Sequence, residues 1–375
     1  MISRRQLIAA SVASLAAPSA AQAALRPRLD LRQLVEEMRV PALGVAVINT
    51  EGVKTIEVFG RRRFDRPEPV KATDVWHIGD NTMAITSALY ARLVEAGKSS
   101  WGAKISAVLP GVTLDPAYKD LTVEALLAHR TGLSDSVLLS PDWIAKGHAD
   151  TRPLPEQRMD AAKAWLGAAP TGKPGEFLVA RANYVIAGAV IEALAGQSYE
   201  DFAKAEAFDW WGAVEAGFGA PLSNSPLGHA RPERGQLTPV EPGDLADYPR
   251  LMNPATGVHL TLSEYGRFVQ LILTNGGGWL KPISLAHLAR PYDKADEGYG
   301  LGWKFTDQAA WAKGPLLSHE GSNTMWRAHI VVAPGRDLGM IAVCNADNEL
   351  ACQRALQVAV KAFGEDAPVF NELKL

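Results

Sequence analysis

Two residues of this chain could do acid–base work if the fold brought them together. Asp80 heads an apolar run with helical spacing, and His319 lies two residues before Gly321. A carboxylate and an imidazole facing each other across a cleft could activate a water molecule. Asp80 also has a plainer use, because a carboxylate in the first turn of a helix is favoured by the macrodipole and the free N–H groups there. The eight histidines (His77, His129, His148, His229, His259, His287, His319 and His329) show neither H-x-H nor H-E-x-x-H spacing, so a metal site has no support. Gly276-Gly277-Gly278 lacks the strand–loop–helix setting of a phosphate loop and reads as a turn, and no cofactor is implied.

The elements that must position these residues are legible from periodicity. Residues 41–48 and 53–59 are β-rich runs separated by Thr50-Glu51-Gly52, the pattern of a hairpin. Apolar residues recur at helical spacing from Thr82 to Ala96, with Gly97 as the C-cap, and again from Tyr184 to Ala195 before Gly196. Thr261 and Glu264 have the spacing of a capping box at the head of an amphipathic helix that runs to Asn275-Gly276. Residues 301–305, 328–332 and 338–344 are strand-like, and 350–363 form a closing helix. Strands at both ends with helices between them predict an α/β fold. One sheet would be assembled from the two termini, with a helical region inserted between them. Residues 206–260, rich in Gly, Pro and Trp, read as a loop-dominated insertion.

Residues 1–23 have the make-up of an export signal: Arg4 and Arg5, an apolar stretch from Leu7 to Leu15, and Ala21-Gln22-Ala23 as a cleavage site. Ser3-Arg4-Arg5-Gln6-Leu7 suits a twin-arginine signal, with a general secretory signal as the alternative. The apolar stretch is too short for a permanent span, so the expectation is a periplasmic or secreted domain over residues 24–375 with no transmembrane anchor. Loss of Arg4 and Arg5 moves the formal charge from −3 to −5, which argues against a nucleic-acid partner. Cys344 and Cys352 could form one small loop; two buried thiols are the preferred reading.

Several segments, in order, resemble the serine β-lactamase and penicillin-binding-protein family, in its class C and esterase branch. They are residues 40–47 (VPALGVAV), 126–133 (LLAHRTGL), 183–188 (NYVIAG), 299–303 (YGLGW) and 319–326 (HEGSNTMW). The resemblance covers nearly the whole mature chain. It implies an α/β fold with a mainly antiparallel sheet from residues 35–75 and 295–347, flanked by terminal helices, with a helical region at about 100–260. It also implies a nucleophilic serine at a helix N-terminus, a lysine one turn later, a Tyr-x-Asn loop and a Lys/His-x-Gly strand. On that register Asp80 stands at the serine position, Met83 at the lysine, and Val179 and Arg181 at the tyrosine and asparagine. His319 and Gly321 are retained. Met83 and Val179 then read as packing residues, His319 as a cleft wall, and His129 as a satisfied buried histidine. Ser322 belongs to a run that intact members of the family also carry.

The same register sets Asp80 and Arg181 face to face across the cleft, so the two are expected to form an ion pair. Asp80, Arg181, His319 and Trp326 are the ligand-binding candidates, and Trp210 and Trp211 could floor the cleft. The function implied is that of a catalytically degenerate homologue that binds a peptide-like or acyl ligand, or a protein partner. The alternatives are a hydrolase rebuilt on Asp80 and His319, and a structural relic with its cleft sealed.

Overall fold

The computed structural model describes residues 29–363 apart from 137, 139, 223, 232–235 and 294–297; the export signal read at residues 1–23 lies outside the described residues. The sheet has six antiparallel strands drawn from the two ends of the chain. In chain order the elements that matter are α1 (Arg32–Met38), β1 (Ala42–Asn49), β2 (Gly52–Gly60), β3 (Val75–His77), α2 (Thr82–Glu95), α3 (Leu154–Leu166) and α4 (Arg181–Ala195). There follow β4 (Val258–Thr261), α5 (Leu262–Leu273), β5 (Lys304–Ala309), β6 (Gly314–Ser322), β7 (Arg327–Ala333), β8 (Leu338–Cys344) and α6 (Glu349–Phe363). The strand order is β2-β1-β8-β7-β6-β5, with Leu43 opposite Cys344 where the two chain ends meet.

Both faces of this sheet are covered, and the period-2 geometry of a strand divides each strand between them. From β1, Leu43, Val45 and Val47 pack toward α1 and α6, joined by Met340 and Ala342 of β8. Ala42, Ala46 and Ile48 face the other way, with Ile341 and Val343, onto the larger core that holds α2, α4 and α5. That is why these strands read as nearly unbroken apolar runs. α5 begins as its sequence predicts. The Thr261 hydroxyl accepts the Glu264 N–H, and the Glu264 carboxylate accepts the Thr261 N–H.

The helical region carries its own buried ion cluster. Arg158 of α3, fully buried, donates to Glu192 of α4 and to Glu200, and its Nε donates to the Leu251 carbonyl at 2.9 Å. This cluster fixes α4 against α3, and α4 delivers Arg181 to the cleft. The described residues among 206–260 form short helical segments and strands of two to four residues, a loop-dominated stretch as read from composition. Cys344 and Cys352 are both free and buried. Among the described residues no helix is long and apolar enough to cross a membrane.

Candidate functional site

Two glycines decide where the head of α2 sits. A Cβ on Gly321 of β6 would lie 2.2 Å from the Ile78 carbonyl and 2.7 Å from the Asp80 N–H. A Cβ on Gly79, at φ +54°, would lie 2.4 Å from the Ser322 N–H. Backbone therefore packs directly on backbone here, and no other residue type permits that approach. Gly321, expected as a retained cleft motif, acts through this close contact.

Residues Gly79–Asn81 form a single 3-10 turn before α2, held from behind by a buried network. The Gly79 N–H donates to His77 Nδ1 (3.1 Å), so the His77 proton sits on Nε2 and points at Asp247 (2.8 Å). Asp247 also accepts from the Asn323 amide at 2.8 Å. Asp80 stands in the first turn at the helix head, as expected of a carboxylate there, while the N-cap residue Ile78 makes no side-chain capping bond. The Asp80 carboxylate turns across the cleft.

There Asp80 meets Arg181 in a two-pronged pair: Nε donates to Oδ1 at 2.7 Å and Nη2 to Oδ2 at 2.8 Å. The pairing expected from the sequence is thus present, in the geometry that makes guanidinium–carboxylate contacts strong. The Arg181 guanidinium also reaches Asp135 (3.5 Å) and the Ser322 carbonyl (3.3 Å), and it lies 5.5 Å from the Tyr248 ring centre. Burial works against the Arg181 charge, but Asp80 outweighs it and holds the guanidinium above its ordinary value. Burial pushes Asp135 above the usual carboxylate range, against the backbone N–H groups of Arg181 and Ala182.

Asp135 was not singled out in the sequence, and it explains why α4 begins at Arg181 rather than Tyr184. Its Oδ1 accepts the Ala182 N–H at 3.2 Å, capping the helix from another segment. A cap of that kind leaves no local signature.

A cavity of about 380 Å³ opens beside the pair. Asp80, Met83, Val179, Arg181 and His319 line it as expected, joined by Asp135, His129, Phe177, Tyr299, Lys304, Ser318 and Glu320. Met83 is buried in the core while touching this space. Val179 is not a packing residue: 55% exposed, it forms part of the lip. Trp326 is not a wall either. It is buried, stacks on His77 and donates its indole N–H to the Pro226 carbonyl at 3.2 Å. Trp211 packs against Phe268 and Trp279, Trp210 lies half exposed beside Trp279, and neither is among the lining residues.

The chemistry available at this corner is narrow. Both Asp80 oxygens are taken by Arg181, and Oδ2 also accepts the Ser322 N–H at 3.4 Å, a donor that could otherwise polarise a carbonyl. The Ser322 hydroxyl accepts the Thr324 N–H at 2.8 Å. His319 donates from Nδ1 to the Glu320 carbonyl (2.8 Å), and its Nε2 faces the Tyr299 hydroxyl (3.4 Å). Burial pushes the His319 imidazole below its ordinary value, with the Asp80 charge pulling partly back. Among the described residues no cluster of three or more His, Cys, Asp or Glu could hold a metal ion.

Comparison with known proteins now bears on this arrangement. The beta-lactamase family profile matches residues 29–363. This chain belongs to the beta-lactamase family. A relative, penicillin-binding protein 4 of Amycolatopsis lactamdurans, is 24% identical over 321 residues, covering 80% of this chain and 79% of its own. Among solved structures, the octameric penicillin-binding protein homologue from Pyrococcus abyssi superposes with a TM-score of 0.72 at 21% identity, over 89% of this chain and 76% of that one. A structure described as SurE superposes at 0.69 and 21% identity, over 90% and 76% of the two chains. The six-stranded sheet and flanking helices are the fold of this family, as the ordered sequence segments implied.

Proposed function

We propose that this protein is an exported, catalytically degenerate member of the beta-lactamase family whose cleft binds a peptide-like or acyl ligand without forming an acyl-enzyme. The observation that carries the reading is the two-pronged Asp80–Arg181 pair at the head of α2. It stands where the family register calls for a serine and its partners. Acyl transfer needs a nucleophile, a base to deprotonate it and donors for the developing oxyanion. Asp80 offers a carboxylate neutralised by Arg181, Met83 has no proton to exchange, and the Ser322 N–H is already bound to Asp80. The cavity of about 380 Å³ beside the pair supports binding over a sealed relic, because the ion pair blocks the reacting corner without filling the cleft.

The test is covalent labelling of purified protein with fluorescent penicillin and a fluorophosphonate, read by intact mass. No adduct is expected. Labelling that survives Asp80→Ala but disappears on changing a serine would overturn the proposal. Fractionation of cells expressing the full chain tests the export that residues 1–23 suggest, with the processed protein expected in the periplasm or medium.

A further inference from the structure

The last residues of β6 have no described strand on their outer side. β5 pairs with β6 only as far as Lys304 opposite Ser318, whereas β7 pairs with it up to Arg327 opposite Ser322. Beyond Ser318 the outer edge of β6 is therefore open among the described strands. The cavity runs along this edge, with Ser318, His319 and Glu320 in its lining. An open edge presents N–H and C=O groups from alternate residues, and an extended chain can add to it as a further strand.

At Ser322 both main-chain groups are taken. The N–H donates to Asp80 Oδ2 at 3.4 Å, and the carbonyl accepts from Arg181 Nη2 at 3.3 Å. That Nη2 and Oδ2 are also bonded to each other at 2.8 Å, so the pair closes a ring on one residue of the edge. It offers Ser322 one acceptor and one donor, as a residue of an added antiparallel strand would. Two residues back, on the same edge by the period of a strand, the Glu320 carbonyl accepts from His319 Nδ1 at 2.8 Å. Side chains thus cover the edge where a main chain could add. Both members of the pair can be reached from the cavity: they line it, and their side chains are 18% and 19% exposed.

What the cavity leaves open is wall rather than edge. Met83, Phe177, Val179 and Tyr299 give it an apolar surface. The lining carboxylates Asp80, Asp135 and Glu320 stand against Arg181 and Lys304, and Arg130 lies over the Phe177 ring at 5.1 Å. Among the described residues neither sign is in excess, so charge does not select the ligand.

Resting on the reading of the cleft as a non-acylating binding site, we propose that the Asp80–Arg181 pair sets the class of ligand by standing in for a peptide strand at the β6 edge. An extended chain is refused, and a compact, uncharged acyl group is held by the apolar wall. Removing the pair opens the edge to strand addition.

The experiment uses N-acetylleucinamide as the compact probe and acetyl-Ala-Ala-Leu-Ala-Ala-amide as the same residue in an extended chain. Calorimetry gives both affinities for wild type and for Asp80→Ala/Arg181→Ala, amide NMR reports on Ser322, and intact mass on the same samples detects any adduct. Wild type is expected to bind the two probes within about twofold of each other, with the Ser322 amide resonance unmoved and its exchange with deuterium slow. The double variant should bind the pentapeptide at least about tenfold more tightly than the compact probe, equivalent to roughly 1.4 kcal/mol, and shift the Ser322 resonance. The wild-type measurements decide even if this variant does not fold. A wild-type preference of about tenfold for the pentapeptide, or a wild-type Ser322 amide that exchanges as fast as an exposed one, overturns the proposal. So does a folded double variant with no gain for the pentapeptide, or wild type that does not bind the compact probe. An acyl adduct overturns instead the non-acylating reading.

Discussion

Breaking the Asp80–Arg181 pair from its two sides should not give equal effects. The side chains are 18% and 19% exposed, so the pair lies between a surface ion pair, worth up to about 1 kcal/mol, and a buried one, where removing a partner costs about 3–5 kcal/mol. Arg181→Leu leaves two carboxylates, Asp80 and Asp135, facing each other without their cation, and should cost roughly 2–3 kcal/mol. Asp80→Asn leaves Arg181 with Asp135 and the Ser322 carbonyl, and should cost about 1 kcal/mol. The double variant should be less destabilised than the sum of the two, with a coupling on the order of 1–2 kcal/mol. Urea denaturation of the four proteins, followed by tryptophan fluorescence, measures the cycle. Additivity within about 0.5 kcal/mol, or a larger loss for Asp80→Asn than for Arg181→Leu, would refute the reasoning.

Three further outcomes follow from the same geometry. Restoring only Asp80→Ser and Met83→Lys should give no cephalosporin hydrolysis above wild type. Arg181 and Val179 would still occupy the other half of the site, and a lysine at the buried position 83 should itself destabilise the fold; turnover by the double variant would contradict this. Gly321→Ala should cost about 3 kcal/mol or more, because its methyl group would meet backbone atoms that cannot give way, and thermal unfolding checks it. Burial pushes His129 and His329 down to about 3, so the unfolded chain binds protons that the native state refuses. Stability should therefore fall as pH drops from about 6.5 toward 3, and a melting temperature unchanged between about pH 7 and 4.5 would exclude that account.

Much of this architecture is written locally. Thr261 and Glu264 cap α5 through atoms three residues apart, and the unbroken apolar runs of β1 and β8 mark strands covered on both faces. The Asp80–Arg181 pair could be anticipated because two separated motifs fixed its register. What stayed hidden depends on partners far away in sequence. Asp135 caps α4 from another segment, Arg158 gathers Glu192 and Glu200, and Trp326 is drawn inward by His77. No local pattern indicates that Lys304, Phe177 and Tyr299 share one cavity. For His129 the motif implies a satisfied buried residue, whereas its ring Nε2 has no hydrogen-bond partner among the described residues.

The meeting of Leu43 with Cys344 has a kinetic consequence. The β1–β2 hairpin forms from neighbouring residues, but its inner edge can be covered only by a strand from the far end of the chain. During synthesis, that apolar edge waits for nearly the whole polypeptide, a state prone to pairing with other chains. Such long-range closure makes folding slow, and a cut anywhere before Leu338 should leave no smaller unit able to complete the sheet. The two ends of the gene product must therefore be present together before any cleft exists.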